Sequence, residues 1–455
     1  MRNIISGGII GAVLITSSAF GQDQKGLQVK LITLDPGHFH AALVQKSTLS
    51  DIDPNVHVYA PQGPDVQSHL SKIDAYNHRK DDPTHWNELV YTGNDFFNKM
   101  IAEKKGNVVV MAGNNQKKTE YIKRSIDAGF NVLGDKPMAI DNRHFQMLKS
   151  AFADAAKKKL VLYDIMTERY EITNTLQREF AAISEVFGQL KKGTPKNPAV
   201  EMESVHYFYK YVSGSVLSRP AWFFDVKQQG EGLQDVGVHL VDLTQWECFP
   251  NRIIDYKKDI QLTNAKRWPS EITLSQFKAI TKLNGFPKFL KSNIVKDTIL
   301  KVYANGSVNY KLFGTNIKLT AKWAYSAPPG SGDSQYSVLH GTKADLYVRQ
   351  GATEKFTPVL YIEPLVNNMA YENALMEKLK IVQDKYPGIE VKKLAKGWEV
   401  IIPEKYKDGH EAHFGRVTEK YLDYLRNGTM PKWEVPNMIA KYYTTTTALA
   451  LAKGH

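Results

Sequence analysis

Hydrophobic positions change their spacing along this chain, and the change divides it in two. Residues 29–34 (Val-Lys-Leu-Ile-Thr-Leu) form a short, mainly apolar run. A tight turn follows at Asp35-Pro36-Gly37-His38, and a helical pattern starts near Phe39. Similar runs recur at 56–60, 107–112, 131–133 and 160–163, with helical spacing between the later ones, notably over 141–157. Apolar strands alternating with helices predict a doubly wound parallel sheet of Rossmann type, buried on both faces. After about residue 166 the pattern differs. A helix is expected over 172–187, then strand-like stretches at 200–209, 257–264, 298–304, 307–313, 317–323 and 335–340. Strands without intervening helices predict an open, mostly antiparallel sheet. Helical spacing returns near 411–426 and 436–453. The expected class is α/β plus α+β: a Rossmann-like, doubly wound parallel-sheet domain over 28–165, then an open, mostly antiparallel sheet domain over 166–455, ending in a helical extension.

Ahead of the first strand, Arg2 precedes a largely apolar run from Ile4 to Phe20, and Ala19-Phe20-Gly21 offers small residues for cleavage. This is the pattern of a signal peptide over 1–21, so export to the periplasm is expected. No other stretch is long and apolar enough to span a bilayer. With 455 residues, 42% of them hydrophobic and 11% aromatic, the chain can bury a large core and is not a disordered one. The single cysteine, Cys248, excludes an internal disulfide. The net charge of +12 comes from scattered residues and short clusters such as Lys157-Lys158-Lys159, which read as solvated surface and not as a nucleic-acid footprint.

Chemistry concentrates in three segments. The first is the turn after the opening strand, where a dinucleotide fold places glycines so that backbone can approach a pyrophosphate. Only Gly37 is present, and Asp35 and His40 stand where the other two glycines would be. His38 and His40 form a potential metal pair, but no third ligand lies near them in the sequence, so no metal is expected. The second strand ends in Tyr59-Ala60-Pro61-Gln62, without the acidic residue that usually holds the ribose of NAD.

The second segment runs from 107 through Asn114 and Asn115 to Asp127-Ala-Gly-Phe-Asn-Val-Leu-Gly-Asp135-Lys136-Pro137-Met-Ala139. The third is Gly232-Leu-Gln-Asp235-Val-Gly-Val-His239-Leu-Val-Asp242. On a helix Asp235 and His239 share a face, and histidine is suited to accept an alcohol proton near neutral pH. Read alone, that spacing also fits a capped helix around a core histidine.

Together these segments resemble the Gfo/Idh/MocA family of sugar and polyol oxidoreductases, over about residues 29–345. In that family a Glu-Lys-Pro-x-Ala element is followed by Asp-x-Gly-x-His-x-x-Asp. Asp135 replaces the usual Glu with a shorter carboxylate. The resemblance implies that Lys136 is the catalytic lysine, His239 the acid/base, Asp235 its partner, and Asp242 a supporting carboxylate behind it. It places Gly37, His38, His40, Asn114, Asn115 and Asp135 at the cofactor, NAD with NADP left open. Arg169 stands near the family's Asn-x-Arg, and Trp222 and Tyr207 offer faces for a pyranose ring. The segment His410-Glu-Ala-His413 has its histidines three apart where a zinc helix needs four, so it is discounted. Residues 346–455 fall outside the resemblance and read as a subgroup extension.

The implied function is oxidation of a secondary hydroxyl on a sugar or glycoside, with C3 giving a 3-keto sugar. Export adds a constraint, because free dinucleotide is not expected in the periplasm. The cofactor must then be tightly held, with electrons passing to a redox partner. Two alternatives stay open: a redox-neutral NAD-dependent glycosidase, and a non-catalytic sugar-binding protein on the same fold. A homo-oligomer is expected from the family.

Overall fold

The computed structural model describes residues 28–212, 215–329 and 331–454. The proposed signal segment lies outside these residues. The first sheet has six parallel strands: Leu31–Leu34, Asn55–Ala60, Asn87–Thr92, Val108–Met111, Asn131–Asp135 and Leu162–Ile165. Numbered along the chain, they lie in the order three, two, one, four, five, six. That is the Rossmann order, and its crevice opens where the order reverses, beside the first and fourth strands. The central strands are wholly buried, as apolar runs covered by helices on both faces must be. The edge strand Asn87–Thr92 is the one the pattern did not predict. It is mostly exposed and carries polar residues, so it lacks the apolar signature of its neighbours. The helix Pro64–His78 leading to it was also not foreseen; it buries only Val66, His69 and Ile73.

The second sheet has ten strands and is antiparallel except where Val200–Tyr209 runs parallel to Thr315–Ser326. The two stretches expected at 298–304 and 307–313 form one long strand, Ile299–Leu312. Residues 346–455 are not an appendage. Val359–Pro364, Gly397–Ile401 and Glu390–Leu394 extend this sheet by three strands. The helix His410–Asn427 then returns to the first domain. Its Phe414, Val417, Tyr421 and Leu425 join the core around the parallel sheet. The last helix, Glu434–Ala452, buries Ala440 and Ala448 in the core of the second sheet and Tyr442 in that of the first. No described helix is long and apolar enough to cross a membrane.

Candidate active site

Three elements bring the predicted residues together. Asp135 closes the strand Asn131–Asp135, and Lys136 follows it at the sheet's C-terminal edge. Asp235 ends the short helix Gly232–Asp235, and His239 lies in the first turn of the helix Gly237–Cys248. The short helix presses directly on the long strand Ile299–Leu312. A Cβ on Gly232 would sit 2.0 Å from the Ala304 carbonyl oxygen, so only glycine permits that approach.

Lys136 is the centre of the arrangement. Its ammonium donates to the Asp235 carboxylate at 2.8 Å and to the Asp235 carbonyl at 2.9 Å. Burial disfavours its charge, but Asp235 and Asp135 outweigh that and hold the ammonium above its ordinary pKa. Burial likewise works against the Asp235 carboxylate, and Lys136 beside it still keeps it below the usual range. An ammonium has three donors. Two are used, and the third is left for the cavity that Lys136 lines.

The expected partnership of Asp235 with His239 does not take the form of a hydrogen bond between them, since Asp235 bonds Lys136. Val236 interrupts the helix between them, with φ −104° and ψ −43°. The His239 amide then bonds the Val236 carbonyl, not that of Asp235. Both side chains still line the same cavity, where Asp235 bonds Lys136. His239 Nδ1 is buried with no hydrogen-bond partner among the described residues. Burial, followed by the nearby Lys136, pushes the His239 pKa well below its ordinary value. The imidazole is thus neutral and able to accept a proton.

Asp242, expected as a supporting carboxylate, lies buried behind the cavity. It takes a bidentate bond from Arg169, at 2.6 and 2.8 Å, and a third from Lys441 at 2.8 Å. Arg169 also reaches Glu434 at 3.0 Å. Arg169 is consumed by this internal network and does not line the cavity. Tyr207 is buried outside it. Trp222 lies in the neighbouring groove, where its indole N–H donates to Asp65 at 2.8 Å.

The cavity has a volume of about 370 Å³ and lies between the two domains. Sequence reasoning missed most of its lining. His206 lies 3.1 Å from Asp333, which also pairs with Lys210. Glu168 faces these groups, and burial followed by Glu171 raises its carboxyl above the usual range. Arg219 lies over the rings of Phe223 and Trp323, and burial lowers its pKa to about 10. Arg219 stands three residues before Trp222 in the sequence. His410 reaches the cavity from the segment the sequence discounted, and burial lowers its pKa to about 3.

The predicted cofactor residues divide. Gly37 and His38 line a groove of about 640 Å³ that passes the first turn and the end of the second strand. A Cβ on Gly37 would lie 2.9 Å from Asp65 and 3.1 Å from Trp222, so this close approach fits the glycine of a dinucleotide loop. Asp35 also lines the groove, and burial together with Asp65 raises its pKa to about 6. Asn114 and Asn115 turn instead to the second domain, bonding Gln228 and Gln229 at 2.7 Å each. His40 and Asp135 meet beside Lys136: His40 Nδ1 lies 3.0 Å from the Asp135 carboxylate and His38 Nδ1 3.3 Å from the same oxygen. The third ligand-type group that the sequence lacked near His38 and His40 is thus Asp135, delivered by the fold.

Comparison with known proteins agrees with this architecture. The family "Putative oxidoreductase C terminal domain" matches residues 176–453. A crystal structure described as a "putative oxidoreductase" from Parabacteroides merdae superposes with a TM-score of 0.92 at 53% identity, covering 94% of this chain and 98% of that one. Two more distant structures share the fold. A levoglucosan dehydrogenase in complex with NADH and levoglucosan gives a TM-score of 0.59 at 11% identity, over 93% of this chain and 96% of that one. A 3-ketoreductase from Actinomadura kijaniata, in complex with NADP and TDP-benzene, gives 0.55 at 12%, over 94% and 98%. No curated protein matches the chain.

Proposed function

This chain belongs to the Gfo/Idh/MocA family of oxidoreductases, and from that premise we propose that it oxidises a secondary hydroxyl of a sugar or glycoside. The observation that carries the reading is the Lys136–Asp235 pair, set beside a neutral His239 in a polar cavity. The free hydrogen of the Lys136 ammonium holds the reacting oxygen. As that oxygen gains negative charge, a fixed cation in a dry site lowers the barrier. His239 takes the hydroxyl proton. Asp235 keeps Lys136 charged and pointed. When bound, a nicotinamide supplies the acceptor for the hydride from carbon. The turn at Asp35–His38, the Ala60–Asp65 segment and Trp222 would hold it along the groove. The sugar's other hydroxyls meet His206, Lys210, Asp333, Glu168 and Gln335, while Trp323 supplies an apolar wall.

The reading extends to a 3-keto product and to an exported enzyme that retains its cofactor. The Trp222–Asp65 bond, which joins the domains across the groove beside Gly37, favours retention. Two measurements test it. Denatured protein should release NAD(H) or NADP(H), read by absorbance and mass. Glycosides incubated with the enzyme should yield ketones by mass spectrometry, and Lys136→Ala should lower their rate of formation by about 10²–10³. Protein that releases no dinucleotide and binds none on addition would sink the proposal. Product formed without any added acceptor, and cleaved at the glycosidic bond, would redirect it to redox-neutral glycosidase chemistry.

A further inference from the structure

We propose that His38, His40 and Asp135 form a binding site for a divalent transition-metal ion, open towards the cavity that holds Lys136. The site shares His38 with the dinucleotide groove, and its test reads metal uptake separately from dinucleotide content.

The geometry is that of ligands converging on a point. One ligand atom from each residue lies within 4.8 Å of the other two. The Asp135 oxygen is 3.0 Å from His40 Nδ1 and 3.3 Å from His38 Nδ1. A tetrahedral ion with bonds of about 2.0–2.1 Å separates its ligand atoms by about 3.3 Å. The two edges that meet at the Asp135 oxygen are close to that spacing, and the His38–His40 edge lies within 4.8 Å. One hydrogen bond lies within the cluster, between His40 Nδ1 and the Asp135 carboxylate at 3.0 Å, and it leaves the other two polar atoms unpaired. His38 Nδ1 is close to the carboxylate but not aligned to donate to it, and it counts no partner. The other oxygen of Asp135 is also buried and without a partner, a costly state for a carboxylate. Asp135 is 3% exposed and His40 6% exposed.

The backbone holds these groups in place. Asp135 ends a central strand, and the turn carrying both imidazoles is clamped by the His38 amide bonding the Ala112 carbonyl at 3.1 Å. Neighbouring cations do not forbid an ion. Lys136 is paired with Asp235, and Lys118 donates to the Asp135 carbonyl at 3.1 Å, not to its carboxylate. Two imidazoles and one carboxylate suit zinc, iron(II), cobalt or manganese, and three protein ligands leave a coordination position for water or a substrate oxygen. His38 and His40 both line the cavity, so that position faces the substrate side. His410, with its ring centroid 5.2 Å from that of His40, covers the same flank.

The test is metal titration of the full protein after chelator dialysis, using Co²⁺ and then Zn²⁺. The wild type should take up one equivalent and show the visible absorption of low-coordinate Co²⁺. His40→Ala and Asp135→Asn should weaken binding by more than about 100-fold, beyond the loss expected for an outer partner of a metal site. His38→Ala serves if either buried variant fails to fold, since His38 is the most exposed of the three. His413→Ala, which lies outside the cluster, should bind as wild type. Wild-type protein that takes up no stoichiometric Co²⁺ or Zn²⁺, or undiminished uptake by His38→Ala, would overturn the proposal. Dinucleotide content of the same samples is read separately, so its absence would count against the oxidoreductase reading and leave this one standing.

Discussion

His239 sits among Lys136, His206, Asp235 and Asp242, and burial together with the Lys136 ammonium drives its pKa well below the ordinary histidine value. The sign matters for catalysis. A lowered pKa keeps the imidazole in its proton-accepting form to more acid pH than a solvent-exposed histidine would allow. For alcohol oxidation, kcat/KM is therefore expected to stay flat from about pH 8 to about pH 6, through the region where a free histidine titrates. A loss of activity centred near pH 6.5 and absent from His239→Gln would show that the environment does not act in this way. Lys136, Asp235 and His239 were legible because each lies within a short contiguous segment. The bond between Lys136 and Asp235 was not, because its partners lie 99 positions apart in the chain.

The elements that carry these residues depend on close backbone approach. The helix Gly232–Asp235 rests on the strand Ile299–Leu312 at Gly232, where a methyl group would collide with the Ala304 carbonyl. Gly232→Ala must push the helix off the strand, and Asp235 at its far end would move with it. Overpacking of this kind costs about 1–3 kcal/mol. A lower denaturant midpoint and a fall in kcat are expected together; an unchanged midpoint would show that the strand yields freely. At this scale the sequence was informative where the elements are buried. The apolar runs at 29–34 and 107–112 announced their strands, whereas the polar, exposed strand Asn87–Thr92 did not. The split of Ile299–Leu312 into two expected strands has a similar cause, since Asn305-Gly306 reads as a turn while the strand continues through it with an irregularity in its pairing.

At the scale of the whole molecule, the C-terminal quarter ties the two domains together, and its role depends on contacts that sequence spacing does not reveal. Lys441, on the last helix, has a fully buried ammonium. It pairs with Asp164 at 2.7 Å, at the end of the sixth strand of the parallel sheet, and with Asp242 at 2.8 Å, behind His239. Arg169 links Asp242 onward to Glu434 on the same helix. Partners more than 190 positions apart cannot be read from local pattern, which is why Arg169 looked like a substrate residue and His410 did not look like part of the cavity. Lys441→Met removes the one cation shared by Asp164 and Asp242 and leaves Asp164 to the Tyr442 hydroxyl. Breaking a buried ion pair by deleting one partner costs about 3–5 kcal/mol. The loss should be larger than for any surface lysine and should be accompanied by loosening between the domains. Hydrogen exchange would locate it: amides of the last helix and of the helix Gly237–Cys248 are expected to lose protection together. Protection lost in the last helix alone would mean that the network anchors that helix without coupling it to the segment that carries His239.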